Sequence, residues 1–384
     1  MNRSGRRRTI IRVAAIVVAL VVAGAPLLLF WPSGEEIAVG EGDWTMPGGG
    51  PSHSSYLTFA PHGPLREQWS TRLEGELAGP AAVAGGRAYV GCRNGFLYCL
   101  ETDSGRPVWR VDVASGIASM PAVSEAGVIV GTLDGKVVCV NAGGELKWTL
   151  EVGGAVSSTP IPDGGRIYFG SSDRYVYCVD AGDGSTLWSF EAEGPVEVSP
   201  CVYEGQVYGV SLEGELFALD AKDGRLLWTY RSHSLPVTFP SAADGMVFMA
   251  SEFEVHCAEA QSGRLLWKHA VTPTIISNLA MRGNQLMVTR GSASVESSTL
   301  SLDTRTGDLV WEAACGSLAG RTAIYATNEY LYLGGKRGIN TIAVASGIPG
   351  MEKELDGILP ETLTVTEGIL LVGSDSRKVY CFEE

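Results

Sequence analysis

The chain has 384 residues, 49 of them glycine, with 19% charged residues and a formal net charge of −14. So much glycine with so little charge suits many tight turns and buried strands, and excludes a largely disordered chain. The charge is segregated: Arg3, Arg6, Arg7, Arg8 and Arg12 precede the first acid, Glu35, and the remainder carries 24 basic against 43 acidic residues, a net −19 that repels phosphate backbones and excludes nucleic-acid binding.

Residues 1–12 read as a basic cytoplasmic N-terminus. Val13 to Trp31 is an uncharged, mostly apolar run of 19 residues. As a helix it would reach roughly 28 Å, close to the thickness of a bilayer core. Arginines ahead of it should stay on the cytoplasmic side and place the body outside. The rival reading is a cleaved signal peptide. Ala23-Gly24-Ala25 resembles a cleavage site, yet Pro26 and five more apolar residues follow it, so a single transmembrane signal anchor over 13–31 is expected. The first cysteine is Cys92, so the apolar run has no lipid-attachment cysteine behind it. Residues 32–63 read as a tether and pre-propeller segment, with Ser33 to Asp43 small, acidic and glycine-containing.

A repeat then begins. Trp69, Trp109, Trp148, Trp188, Trp228, Trp267 and Trp311 recur at steps of 40, 39, 40, 40, 39 and 44. One more step of 40 lands on Met351, and Pro80, Pro121, Pro160, Pro200 and Pro240 keep the same beat. The third copy shows the unit most plainly. Short apolar runs at 159–161, 166–170, 175–180 and 186–190 are separated by Gly and Asp turns, the signature of antiparallel hairpins. Four strands in about forty residues predict a propeller blade. No Trp-Asp dipeptide occurs, which argues against the WD type, and the period is too short for kelch repeats. The sixth unit carries a four-residue excess around Gly291 to Thr299.

Seven intervals run from Trp69 to Met351, after which Leu359 to Phe382 supplies three strands and no fourth. Leu65 to Ser70 supplies a fourth strand without its first three. The two fragments complete one blade. The predicted fold is therefore all-β: an eight-bladed β-propeller of four-stranded antiparallel blades over residues 64–384, closed by pairing of N- and C-terminal strands and preceded by one transmembrane helix. Closure removes the outer edges that an open array would expose.

The seven tryptophans read as inter-blade packing residues, since a ligand cage would not need one in every unit. Cys99, Cys139, Cys178, Cys257 and Cys381 share one repeat position, held by Ala218 in the fourth unit. Equivalent third strands of adjacent blades should lie roughly 12 Å apart, whereas a disulfide needs Cα atoms within about 7 Å. These five read as small buried thiols exchangeable with alanine. Cys92, Cys201 and Cys315 carry no assignment, and a disulfide among them stays open. His53, His62, His233, His256 and His269 show no zinc-type spacing. No Gly-x-Ser-x-Gly or Gly-Lys-Ser/Thr motif is present, so no catalytic, metal or cofactor residue is predicted.

Three segments carry a resemblance: Asp180 to Trp188, Asp220 to Gly224 with Trp228, and Asp303 to Gly307 with Trp311. They resemble the tryptophan-docking motif of the quinoprotein (PQQ-like) propeller repeats, in which the Trp packs across to the neighbouring blade. Asp43-Trp44-Thr45-Met46 followed by Gly50-Pro51-Ser52-His53-Ser54 resembles the segment before the first blade in that family. The resemblance implies one of two roles. One branch consists of non-enzymatic envelope propellers that serve outer-membrane barrel assembly. The other consists of dehydrogenases with PQQ and calcium in the central funnel, whose alcohol-oxidising members usually carry vicinal cysteines; no two cysteines are adjacent here. The expected function is thus a monomeric, non-enzymatic scaffold on the extracytoplasmic face of the membrane, without cofactor, binding an envelope protein or an extended peptide. A PQQ-dependent oxidoreductase and a small-molecule sensor using the funnel are the alternatives.

Overall fold

In the third repeat, Ile161–Asp163, Arg166–Gly170, Tyr175–Asp180 and Thr186–Glu191 form a four-stranded antiparallel sheet with strands in sequence order. Asp163 pairs with Arg166 across a two-residue turn. Gly164 and Gly165 in that turn have φ of +56° and +76°, the left-handed pair that matches the twist of a hairpin. The second strand is buried at four of its five positions, because each face meets another blade, while the outer strand alternates exposed with buried residues.

Seven such sheets follow one another over 82–112, 122–151, 161–191, 201–231, 241–270, 280–314 and 324–354, here blades 1 to 7. The computed structural model describes residues 37–384 except 40–42, 44, 47–48, 58–59, 62–63, 293–294, 317, 319–321, 336–337, 356 and 367. The expected cytoplasmic N-terminus (1–12) and signal anchor (13–31) lie outside the described residues, among which no helix is long and apolar enough to cross a membrane.

Blade 8 has strand order Arg66–Arg72, Lys378–Glu383, Leu370–Gly373, Thr364–Val365. Arg66 pairs with Glu383 and Arg72 with Lys378, so the ring closes on strands from opposite ends of the repeat region. The four extra residues of the sixth unit fall within its second hairpin. They lengthen it to Gln285–Ser292 and Val295–Asp303, against five and six residues for the same strands of blade 3.

A second order runs through the ring. The backbone N–H in the turn between second and third strands donates to a carbonyl in the loop entering the same blade: Arg93 to Glu76, Leu133 to Gly116, Ser172 to Ala155, Leu212 to Pro195, Glu252 to Leu235 and Asp375 to Gly357. These bonds fix the loops that surround the axis on one face.

Candidate functional site

The outer-strand tryptophans occupy one repeated setting. Each indole Nε1–H donates to a backbone carbonyl of the next blade: Trp69 to Thr102, Trp109 to Ala142, Trp148 to Ala181, Trp188 to Ala221, Trp228 to Ala260, Trp267 to Thr304 and Trp311 to Val344, at 2.6 to 3.1 Å. Trp188 lies against Gly224, whose φ is +73° and whose added Cβ would fall 2.7 Å from the indole. Trp109 and Trp311 are half-buried and the other five are buried.

Met351 takes the eighth position for a physical reason. Its next blade is blade 8, whose third and outer strands come from distant parts of the chain and have no connecting turn. The carbonyl and glycine on which an indole would rest are not there. The neighbouring Lys353 instead donates to the Leu65 carbonyl and lies over the Phe382 ring.

The repeated cysteines are cross-strand partners of the tryptophans: Cys178 pairs with Trp188 on one side and Tyr168 on the other. Over this small residue the Tyr168 and Trp188 rings approach to 5.9 Å, and Tyr208 and Trp228 do the same over Ala218. All eight cysteines are free and buried, including Cys92, Cys201 and Cys315. Burial pushes Cys99, Cys139, Cys257 and Cys381 up to about 12 and Cys178 up to about 11.

The axis holds a cavity of about 280 Å³, lined by the segments that lead into the inner strands. Ser157, Thr159, Ser199, Ser277 and Thr322 give it hydroxyls, Asn278 an amide, and Met120, Val237, Phe239 and Ile275 apolar surface. Glu361 is the single carboxylate, and no Lys, Arg or His occurs among the described lining residues. Several hydroxyls already serve the ring. Thr159 Oγ1 accepts from Met120 N, Ser199 Oγ from Thr159 N, and Ser277 Oγ from Thr289 N.

The floor of this funnel is made by the segment ahead of the repeats. Asp43 Oδ2 accepts from Gly85 N in blade 1. From there the chain winds around the inside of the ring. Inner-strand N–H groups of Val123, Val202, Ala242, Met281 and Ala326 donate to the carbonyls of Thr45, Pro51, Ser52, Ser54 and Ser55 respectively. The equivalent position in blade 3 is Pro162, which has no N–H to satisfy. Turning from blade to blade within one or two residues requires left-handed backbone, and His53 and Ser55 have φ of +53° and +50°. Ile37, Leu57 and Ala60 are buried in the core shared with blades 1, 2, 7 and 8, so the expected tether region contributes to the packed body.

His53 is fully buried in this strap. Its Nδ1 lies 3.3 Å from the Pro240 carbonyl, its ring centroid 4.4 Å from that of Phe239, and its Nε2 has no partner. Burial holds it in the neutral form, down to about 3. The spacing of histidines gave no hint of this role; the pre-blade segment that contains His53 was its only signal. His256 is buried beneath the Tyr230 hydroxyl, 2.9 Å from Nδ1. His269 Nδ1 lies 2.9 Å from the Gly307 carbonyl, His233 sits at a left-handed backbone position, and His62 is outside the described residues. Among the described residues no group of three or more His, Cys, Asp or Glu side chains is placed to hold a metal ion.

A family model described as outer membrane protein assembly factor BamB, one of the PQQ-like repeat models, matches residues 66–156, 133–243 and 232–347. A protein of that name from Salmonella typhimurium is 35% identical over 60 residues, 16% of this chain and 15% of that protein. Among solved structures, BamB from Moraxella catarrhalis superposes with a TM-score of 0.71 at 18% identity, covering 84% of this chain and all of that one. The quinohemoprotein alcohol dehydrogenases of Pseudomonas putida HK5 (ADHIIG) and Comamonas testosteroni superpose with TM-scores of 0.73 and 0.74 at 13% identity, each covering 89% of this chain and 80% of the enzyme. At such identities the structural likeness shows the fold alone. PQQ carries three carboxylates, and the described funnel lining presents a carboxylate and no cation to receive them.

Proposed function

Since this chain belongs to the BamB family of PQQ-like propellers, we propose that it is a non-enzymatic protein-interaction scaffold held on the extracytoplasmic face of a membrane. The observation that carries this reading is the funnel. In the dehydrogenase branch that space holds the redox cofactor; here its described lining is mostly hydroxyl and aliphatic, and its floor is the chain's own strap. A rigid ring that displays loops on fixed strands suits recognition of a partner. Family membership and the Moraxella BamB fold support a role in outer-membrane protein assembly, with an envelope protein or an extended peptide as partner. The apolar run at 13–31, with arginines before it, supports a single anchor and an exported body.

Photo-crosslinking residues placed on both faces of the full-length protein in intact cells test this. Adducts with envelope proteins are expected, and recovery of cytoplasmic proteins alone would refute both role and location. The oxidoreductase alternative draws on the fold likeness to the quinohemoprotein enzymes. It requires a bound-quinone absorbance when the purified protein is titrated with PQQ and calcium, and no such signal is expected.

A further inference from the structure

The strap lies along the inner strands with Ser55 against the funnel, and the face of the blade-entry loops is uneven. Of its exposed large apolar side chains, Leu133 stands by itself in the central turn of blade 2, and three others gather on the adjacent blades 5 and 6. Leu235 is 62% exposed in the loop entering blade 5, and Phe253 is 48% exposed in that blade's central turn. The two positions are tied by the bond from Glu252 N to the Leu235 carbonyl. Next to them the lengthened hairpin of blade 6 carries Val295, 49% exposed. Two residues beyond Leu235 the same strand path enters the funnel through Val237 and then Phe239. An apolar shoulder therefore leads from the rim into a cavity whose single described charge is the carboxylate of Glu361, on the short helical turn Pro360–Thr362 that enters blade 8. Glu213 and Glu252 sit in the central turns of blades 4 and 5, within a body of net charge −19.

We propose that this face binds an extended peptide segment in which aliphatic residues alternate with lysine or arginine. The aliphatic side chains would cover Leu235, Phe253 and Val295, and one cationic side chain would enter the funnel towards Glu361. Three features select that ligand. The shoulder offers apolar area that water does not favour. The cavity is narrow, and its polar lining suits the stem and head of one long side chain better than a bulky rigid molecule. The acidic surface attracts cations and repels acidic segments. The proposal rests on the scaffold reading and adds the face and the chemistry of the partner.

The test uses full-length protein in detergent and three fluorescent hexapeptides alternating Leu with Arg, Glu or Ser, followed by anisotropy at low and high salt. Preference for the Leu–Arg peptide is expected. Glu361→Gln should weaken it about fivefold at low salt, with little effect on the Leu–Ser peptide. The pair Leu235→Ser and Phe253→Ser should weaken both by about tenfold. All three side chains are exposed, so unchanged thermal melting is the control for folding. Equal binding of the Leu–Glu peptide, or indifference to Glu361→Gln, overturns the proposal. The in-cell crosslinks separate this failure from that of the scaffold reading: envelope adducts through the opposite face would leave a scaffold with a different docking surface, whereas no adduct from either face would remove both.

Discussion

The indole of Trp188 meets the next blade through a 3.1 Å hydrogen bond to the Ala221 carbonyl and a close approach to Gly224, and it also makes a ring contact with Tyr168 of its own blade. Removing it opens a cavity between blades that a rigid sheet cannot fill by collapsing. Trp188→Ala is expected to cost about 3–5 kcal/mol, as large core truncations do, read from denaturant midpoints; a loss under about 1 kcal/mol would place the residue outside the packed interface. The tryptophan positions were legible because one aromatic recurs at a fixed step. Why cysteine accompanies them was less so. Spacing identified small buried residues, but only the cross-strand register shows that Cys178 must be small to let Tyr168 and Trp188 touch over it. Met351 read as an apolar stand-in, whereas the structure gives a cause, since the turn that would receive an indole does not exist in blade 8.

At the scale of elements, the closing strand Arg66–Arg72 and the strap behave differently as sequence signals. The strand was legible because the repeat count left three strands at one end and one at the other. Its deletion with flanking residues, 64–72, would expose Lys378–Glu383 along its length and free the indole site on blade 1. An aggregating or unfolded product is expected on size-exclusion chromatography, and a soluble, cooperatively melting one would contradict closure. The strap had no legible conformation because its ladder spends an uneven one to three residues per blade, so it has neither strand nor helix period. His53 gives it a pH signature. In the unfolded chain the imidazole takes a proton below about 6.5, while in the fold burial keeps it neutral down to about 3. Between those values the unfolded state binds more protons, so stability is full above pH 6.5 and falls as the pH drops. The slope attributable to His53 is at most about 1.4 kcal/mol per pH unit. Denaturant midpoints at pH 7.5 and 5 should differ less in His53→Gln than in the parent protein, and an identical difference would show that the ring is not buried neutral.

For the whole molecule, eight buried thiols set a limit on the alkaline side. Burial raises each of them, several to about 12, whereas unfolded cysteine releases its proton near 8.5. Above about pH 9 the folded state therefore holds more protons than the unfolded one, and stability falls as pH rises. A lower denaturant midpoint at pH 10 than at pH 8 is expected, as is the silence of all eight thiols towards a thiol reagent until the protein unfolds. A native protein with rapidly reacting thiols would show blades that part readily. The architecture of eight blades was largely readable from the chain, but the character of the funnel was not, because its lining comes from one to four residues of every repeat and its floor from outside the repeats. That floor also has a mechanical consequence. Because the strap is laced to the inner edges of blades 1, 2, 4, 5, 6 and 7, a pull on the chain ahead of Ile37 would not peel one strand from one sheet. The load would spread around the hub like tension in a drawstring, and the disc would yield only when many small bonds sheared together.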